Sequence, residues 1–315
     1  MEYSNGHFYS AGQYYKEIFG SKVYKISLDA GCTCPNRDGT KGFGGCIFCS
    51  SSGSGDFAAS RAFSIKNQVA QAKIIVSSKL KEGAKKSYIA YFQNFSSTYG
   101  DEDVLLEKYK EALGCPEISG LAVGTRPDCI SEKMLENLAL LSEKYYLSIE
   151  LGFQSSKKET VEYIRRMYEN SVFLDCVKHI KRKAPKIHVA AHLIFGLPGE
   201  NEQDMMNSVK YVLAAGVDGI KVSVLYVLKG TDLEKDFEKG AFSCLGEDEY
   251  FRLVGNALEI IPENIVVHRL TGDGAKKILV APQWTGNKRE VLNSMKKYFA
   301  ANNIFQGKRA RILKS

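Results

Sequence analysis

The sequence predicts an α/β fold in which parallel strands form a complete or partial TIM-type βα barrel, followed by a C-terminal extension. Short runs rich in Val, Ile and Tyr alternate with amphipathic helical runs along 315 residues, an order that produces right-handed βαβ units and a parallel sheet. Several strand runs are almost continuously apolar, as in strands covered on both faces. Polar or Gly-rich clusters follow strand after strand, where such barrels place their active sites.

The strands and helices follow from this alternation. The predicted strands are Lys22–Leu28, Ser87–Gln93, Gly120–Arg126, Leu147–Gln154, His188–Phe195, Gly219–Leu228 and Ile265–Leu270. The predicted helices are Ile65–Leu80, Asp103–Leu113, Glu132–Lys144, Lys157–Arg166, Val172–Lys181, Glu202–Ala215, Glu247–Ile261 and a segment from Arg289 to Ala300. Ser131 is placed to cap one helix and Gly216 to end another. The chain then divides into an N-terminal segment (1–21), a barrel domain (22–273) and a C-terminal helix with a basic tail (274–315).

Composition and charge place the chain among ordinary globular proteins, with 44% hydrophobic and 25% charged residues. No apolar run approaches the roughly 20 residues that span a bilayer, and residues 1–10 lack the apolar centre of a signal peptide. We therefore expect a cytoplasmic location and no membrane partner. The net charge of +7 suits an anionic partner such as nucleic acid and a solubilising surface equally well.

The cysteines point to a metal site. Of eight cysteines, four cluster at positions 32, 34, 46 and 49, and clustered cysteines in a long chain without a secretion signal indicate metal ligands rather than disulfides. Cys34, Cys46 and Cys49 share a Gly-rich loop just after the first strand. Three thiolates suit an iron–sulfur cluster that keeps one iron open, whereas a structural zinc site normally takes four ligands.

The sequence from about Lys22 to Asp273 resembles the radical S-adenosylmethionine (SAM) superfamily. The cysteine spacing is C-x11-C-x2-C rather than the usual C-x3-C-x2-C of that superfamily. This departure is similar to an Elongator-catalytic-subunit-like subgroup, as are Gly-Thr-Arg-Pro-Asp at 124–128, Glu-Leu-Gly-Phe-Gln-Ser at 150–155, Gly-Leu-Pro-Gly-Glu at 196–200 and Arg-Leu-Thr-Gly-Asp at 269–273. The subgroup includes the MnmL-type enzymes, which process the carboxymethylaminomethyl group of tRNA wobble uridine.

The resemblance implies that Cys34, Cys46 and Cys49 hold a 4Fe–4S cluster, whose fourth iron binds the amino and carboxylate groups of SAM. Cys32 stands where relatives usually carry an apolar residue, so we expect it to be a packed thiol. The implied SAM contacts are Phe48 against the adenine, Gln93 and Asn94 near the methionine amino group, Gln154 and His192 at the ribose, Arg166 at the carboxylate, and Gly196 supporting the adenine. No catalytic residue is identified.

Other interpretations of these contacts stay open. An arginine fork suits a carboxylate and a glutamine can bond two ribose hydroxyls. Gln154 also suits a loop cap, and His192 a hydrogen-bonded core histidine. Arg166 also suits a solvated helix end, with Arg165 as the alternative partner of the carboxylate.

Three functions fit the sequence. The first is a radical SAM enzyme that converts the wobble-uridine side chain from carboxymethylaminomethyl to aminomethyl, with tRNA and an electron donor such as flavodoxin or ferredoxin as partners. The second is radical SAM oxidation of a small molecule such as a tetrapyrrole. The third is an RNA-binding module with structural zinc. The basic tail, with Lys308, Arg309, Arg311 and Lys314, is either an RNA-backbone contact or a solvated end.

Overall fold

A computed structural model describes residues 2–53, 60–77, 86–272, 274 and 276–310. At its centre, seven strands in the order β1-β2-β3-β4-β5-β6-β8 pair in parallel and curl into a half-barrel. The strands are β1 (Tyr24–Leu28), β2 (Tyr88–Phe92), β3 (Ile118–Thr125), β4 (Tyr146–Gln154), β5 (His188–Phe195), β6 (Gly219–Val224), β7 (Val227–Leu228), β8 (Val266–Arg269) and β9 (Leu279–Ala281). The predicted α/β fold with a partial barrel of parallel strands is confirmed.

Ten α-helices accompany the sheet in the described part of the chain. They are α1 (Ala11–Phe19), α2 (Ile65–Ser77), α3 (Glu102–Leu113), α4 (Glu132–Ser142), α5 (Lys158–Tyr163), α6 (Asn170–Lys183), α7 (Glu202–Ala214), α8 (Asp232–Glu238), α9 (Glu247–Ile260) and α10 (Lys288–Ala301). The Ser131 hydroxyl accepts a hydrogen bond from the Met134 amide at 3.0 Å and caps α4 as predicted. Gly216, at φ +87°, follows the end of α7, also as predicted.

The main hydrophobic core lies between the sheet and the helices packed outside it. Leu121, Ile149, Phe153 and Phe173 are completely buried there. The Phe153 ring stacks on Tyr211 of α7 with 5.2 Å between centroids. Each such side chain contributes about 1.5–3 kcal/mol by leaving water. This outer core supports the strands, so their inward-facing residues are free to be polar.

Helix α1 covers the amino-terminal end of the half-barrel. Tyr15 packs edge-on against Tyr146 of β4, and the Nε2 atoms of His188 and His268 lie 2.8 Å apart between β5 and β8. Gly219 makes room for this pair, because a Cβ atom there would come within 2.6–2.8 Å of the two Nε2 atoms. Because packed side chains fill this end of the half-barrel, we expect a binding cavity at the opposite end, where the strands finish.

Several observed elements begin or end a few residues from their predicted bounds; α5, for example, is Lys158–Tyr163 where Lys157–Arg166 is predicted. The larger differences are the following. The single strand predicted over Gly219–Leu228 is two strands, because β7 turns away to pair antiparallel with β9. Helices α1 and α8 are not among the predicted ones. The predicted helix Ile65–Leu80 is observed to Ser77, and its last three positions lie outside the described residues.

Across the described ranges, none of the helices combines the length and apolar character that a membrane crossing requires.

Candidate active site

A cavity opens at the carboxyl ends of the strands and gathers eight of the ten predicted site residues. Its lining includes Cys34, Cys46, Phe48, Cys49, Gln93, Gln154, Arg166 and His192. The cysteine loop follows β1, Gln93 follows β2, Gln154 ends β4 and His192 lies within β5. Parallel strands finish at one edge of the sheet, which is why residues far apart in sequence meet here.

The cysteine loop is held by backbone turns and by one arginine. The Cys49 amide donates to the Cys46 carbonyl at 3.0 Å. The guanidinium of Arg37 donates to the carbonyls of Cys49 and Ser50 at 3.2 and 2.5 Å, joining the two ends of the loop. Gly45 adopts φ +86°, and a Cβ atom there would lie 2.9 Å from the Arg37 Nε. The loop can therefore follow this path only with glycine at 45.

The thiols of this loop have unequal acidity. A hydrogen bond from Cys49, the positive charge of Arg126 and a hydrogen bond from Asn36 lower the pKa of Cys46 to about 7. The hydrogen bond to Cys46, together with burial, raises the pKa of Cys49. Because the thiolate is the form that binds metal, the surroundings of Cys46 favour ligation.

The residues present fit a 4Fe–4S cluster. Three thiols face one cavity from a loop with positive groups around it. Among the described side chains, no three His, Cys, Asp or Glu residues stand close enough to hold a single metal ion. A 4Fe–4S cluster bonds each thiolate to a different iron, so it spaces its ligands more widely than one tetrahedral ion does. Cys32 lies in the hydrophobic core, and burial raises its pKa to about 11.

The Arg166 guanidinium lines the cavity but is hydrogen-bonded to the protein itself, so its role at the SAM carboxylate stays a prediction. The side chain is 1% exposed. Its five hydrogen bonds, at 2.7–3.1 Å, end on the carbonyls of Phe153, Ser155 and Tyr168 and on the amide oxygen of Asn170. A guanidinium has five N–H donors, so this set uses them all. Arg165, the alternative, pairs with Asp232 at 2.7 Å and does not line the cavity.

Arg166 lies between the end of β4 and the turn that contacts the cysteine loop. The segment after α5 turns sharply, with Arg165 and Met167 at positive φ. The Asn36 amide of the cysteine loop donates to the carbonyls of Arg165 and Arg166 at 2.7 and 3.2 Å. Arg166 therefore ties the end of β4 to the turn against which the cysteine loop packs.

Gln154 and His192 reach the cavity in different ways. Gln154 sits at φ +64° beside an irregularity in the β4–β5 pairing, and its side chain lies over Gly152, where a Cβ atom would approach the Gln154 Nε2 to 2.7 Å. The His192 Nε2 lies 3.0 Å from the Ser223 hydroxyl. Burial holds the pKa of His192 well below its usual value, so the ring is neutral.

Asn94 and Gly196 are not among the residues that line the cavity, and their expected cofactor contacts stay predictions. The Asn94 amide is buried and donates to the Asp29 carboxylate at 2.6 Å. Gly196 adopts φ +85° just after β5 with Leu245 packed over it, and Ile194 lines the cavity instead. Gln93, whose amide donates to the Ser27 hydroxyl at 2.9 Å, lines the cavity together with Phe95 and Ser96 of the same loop.

A buried ionic group, to which the sequence interpretation gives no role, also lines the cavity. The Glu150 carboxylate accepts from the Tyr91 hydroxyl at 2.7 Å, from Lys221 at 3.1 Å and from Lys25. These positive neighbours hold the pKa of Glu150 well below its usual range against the opposing effect of burial. The sequence does carry a sign of this group, since Glu150 and Lys221 are ionisable residues within otherwise apolar strands, in Ser-Ile-Glu-Leu-Gly and Gly-Ile-Lys-Val-Ser.

The described part of the basic tail is folded onto α9. Lys308 and Arg309 both pair with Glu259, at 3.2 and 2.8 Å. Arg311 and Lys314 lie outside the described residues. One acidic partner thus offsets part of the charge that the sequence places at this end.

The chain matches two family profiles and several known proteins. The radical SAM superfamily profile matches residues 34–212 and the radical SAM C-terminal domain profile matches residues 217–301. The uncharacterized protein YtqA of Bacillus subtilis is 40% identical over 301 residues, 96% of this chain and 92% of that protein. YhcC of Escherichia coli is 32% identical over 287 residues, which cover 91% of this chain and 90% of that protein. The tRNA uridine(34) acetyltransferase of Methanocaldococcus infernus is 26% identical over 163 residues, which cover 51% of this chain and 30% of that protein.

Solved structures share the fold. Elp3 of Methanocaldococcus infernus, lacking its N-terminus, superposes with a TM-score of 0.66 at 16% identity, covering 91% of this chain and 64% of that one. SuiB of Streptococcus suis, bound to SAM, gives a TM-score of 0.52 at 14% identity, covering 84% and 54%. This chain spans less than two thirds of either. The chain belongs to the radical SAM superfamily, a family of enzymes that use a 4Fe–4S cluster and S-adenosylmethionine.

Proposed function

We propose that this protein is a tRNA-modifying radical SAM enzyme that converts the carboxymethylaminomethyl group of wobble uridine to an aminomethyl group. The observation that carries the proposal is the convergence of Cys34, Cys46 and Cys49, in C-x11-C-x2-C spacing, on the cavity of a half-barrel similar to that of Elp3. The partial sequence match to a tRNA uridine(34) acetyltransferase supports a wobble-uridine substrate.

The chain's own residues divide the work. Cys34, Cys46 and Cys49 hold the cluster. Phe48, Gln93, Gln154 and His192 bind SAM, while Arg166 positions the turn behind the cysteine loop. When bound, the cluster and SAM supply a 5′-deoxyadenosyl radical that takes a hydrogen atom from the substrate. Apolar lining from Ile194, Val224 and Leu225 keeps water from the radical. In the overall balance SAM would accept the two electrons that the glycine-derived C–N unit loses and would leave as methionine and 5′-deoxyadenosine. Water would then hydrolyse the resulting imine to the aminomethyl group and glyoxylate.

The test uses reconstituted protein with SAM, dithionite and tRNA that carries the carboxymethylaminomethyl group. We expect nucleoside mass spectrometry to show aminomethyluridine, with glyoxylate formed in equal amount. Cys46→Ala should form neither, whereas Cys32→Ala serves as the matched control and should form both. An unchanged tRNA together with turnover of a tetrapyrrole would replace this proposal with the small-molecule one. Colourless, zinc-loaded protein would support the RNA-binding module instead.

A further inference from the structure

The cavity contains a row of polar side chains set by the strand register. Gly152 on β4 aligns with His192 on β5, His192 aligns with Lys221 on β6, and Lys221 aligns with Arg269 on β8. His192, Lys221 and Arg269 all line the cavity, as does Glu150, which lies two residues before Gly152 on the same face of β4. The row therefore forms one wall of the cavity.

Among the described residues of this wall, positive side chains outnumber carboxylates. Lys25 and Lys221 share the single carboxylate of Glu150, and Tyr91 donates to the same carboxylate. The Lys221 side chain is only 13% exposed. Burial lowers the pKa of Lys221 and the Glu150 charge opposes that effect. A buried cation whose counter-ion is shared is costly, and a second anion in the cavity would offset the cost.

Lys221 and Arg269 stand on strands that are far from the cysteine loop in the order of the sheet. That loop follows β1 at one edge of the sheet, whereas β6 and β8 form the other edge. In the superfamily the carboxylate of SAM binds at the cluster, which leaves the cations of β6 and β8 facing the remainder of the cavity. A substrate bound beside SAM would occupy that remainder.

We propose that Lys221, held in place by Glu150 and Tyr91 and flanked by Arg269, binds the carboxylate of the glycine-derived substituent and selects an anionic substrate. The inference rests on the proposed function, because the wobble side chain supplies the carboxylate. A charge-assisted hydrogen bond at a buried wall of the cavity favours this anion over a neutral group of the same shape. Lys221 is in these terms a specificity-determining residue.

The test compares two tRNAs, one with the natural side chain and one with its carboxamide, for both affinity and turnover. We expect the unaltered protein to prefer the acid by about tenfold or more, as one charge-assisted contact warrants. Lys221→Met keeps the aliphatic stem and should bring the preference close to one. Lys221→Arg keeps the charge and should retain most of it. Lys210→Met, an exposed lysine on α7, is the control and should behave as the unaltered protein.

The ratio of acid to amide separates recognition from folding, since a misfolded fraction lowers both values equally. An unaltered protein that treats the two tRNAs alike overturns the inference and leaves the proposed function standing. An equal loss on both tRNAs in Lys221→Met assigns Lys221 a structural role and also overturns it. Acid-selective, Lys221-dependent binding without conversion would support carboxylate recognition and refute the proposed reaction. If neither conversion nor acid selectivity is observed, the inference about Lys221 and the proposed reaction are both refuted.

Discussion

Replacing Arg166 with alanine should destabilise the fold rather than act on SAM alone. The side chain is buried and its five N–H groups are all engaged. Removing it leaves three backbone carbonyls and the Asn170 amide oxygen without these donors. Each buried acceptor left unpaired costs about 1–3 kcal/mol. Water entering the vacated space restores part of this, so we expect a loss of about 4 kcal/mol, near the lower limit of the sum.

The neighbouring arginine provides a matched control. Arg165 is equally charged, but its pair with Asp232 is exposed, with 46% and 40% of the two side chains accessible. Exposed pairs of this kind contribute at most about 1 kcal/mol. Arg165→Ala should therefore unfold at nearly the same urea concentration as the unaltered protein. Arg166→Lys should lie between the two alanine variants, because an ammonium has three donors and cannot reach all the acceptors of a planar fork.

The assay is urea unfolding followed by circular dichroism, with iron content measured on the same samples. The free-energy change follows from the shift of the midpoint and the slope of the transition. We expect Arg166→Ala to lose both stability and iron, because the turn it anchors is bonded to Asn36 of the cysteine loop. Normal stability and full iron content, with weaker SAM binding alone, would refute this reasoning and restore the carboxylate-binding role.

Three further predictions concern the cluster, the histidine pair at the amino-terminal end of the half-barrel, and the C-terminal tail. Cys46→Ala should lose cluster iron and the absorbance of the cluster, while Cys32→Ala keeps both; the reverse result would reassign the ligand. Burial lowers the pKa of His188 to about 4. Between that value and the ordinary pKa of histidine, the unfolded chain therefore binds more protons than the folded chain. The free energy of unfolding then decreases as the pH falls, by up to about 1.4 kcal/mol per pH unit. Urea midpoints at pH 7 and pH 5 measure this, and His188→Gln should flatten the dependence. Truncation after Gln306 should reduce the salt dependence of tRNA binding by roughly one unit for each phosphate that the tail neutralises, and identical slopes would make the tail a solvated end.

The barrel could be predicted because each of its strands carries a local signal. Residues His188–Phe195 are a covered, almost continuously apolar run, and the observed strand has the predicted bounds. The run Gly219–Leu228 has the same local character, yet it divides after Val224. Its second half pairs with Leu279–Ala281, some fifty residues further along the chain. Hydrophobic pattern reports burial, whereas the choice of partner strand depends on distant residues.

The contributions of sequence and structure divide in the same way at the site. Spacing in a Gly-rich loop is a local property, so the sequence alone singled out Cys34, Cys46 and Cys49. An arginine beside a motif looks the same in sequence whether its donors face a ligand or backbone carbonyls, and only the fold shows that the Arg166 donors meet carbonyls and the Asn170 side chain. The pairing of Glu150 with Lys221 joins residues 71 positions apart through strand register. Sequence therefore determined which chemistry the chain carries, and the tertiary structure decided which side chains remain available for it, because hydrogen-bond partners are set by neighbours in space.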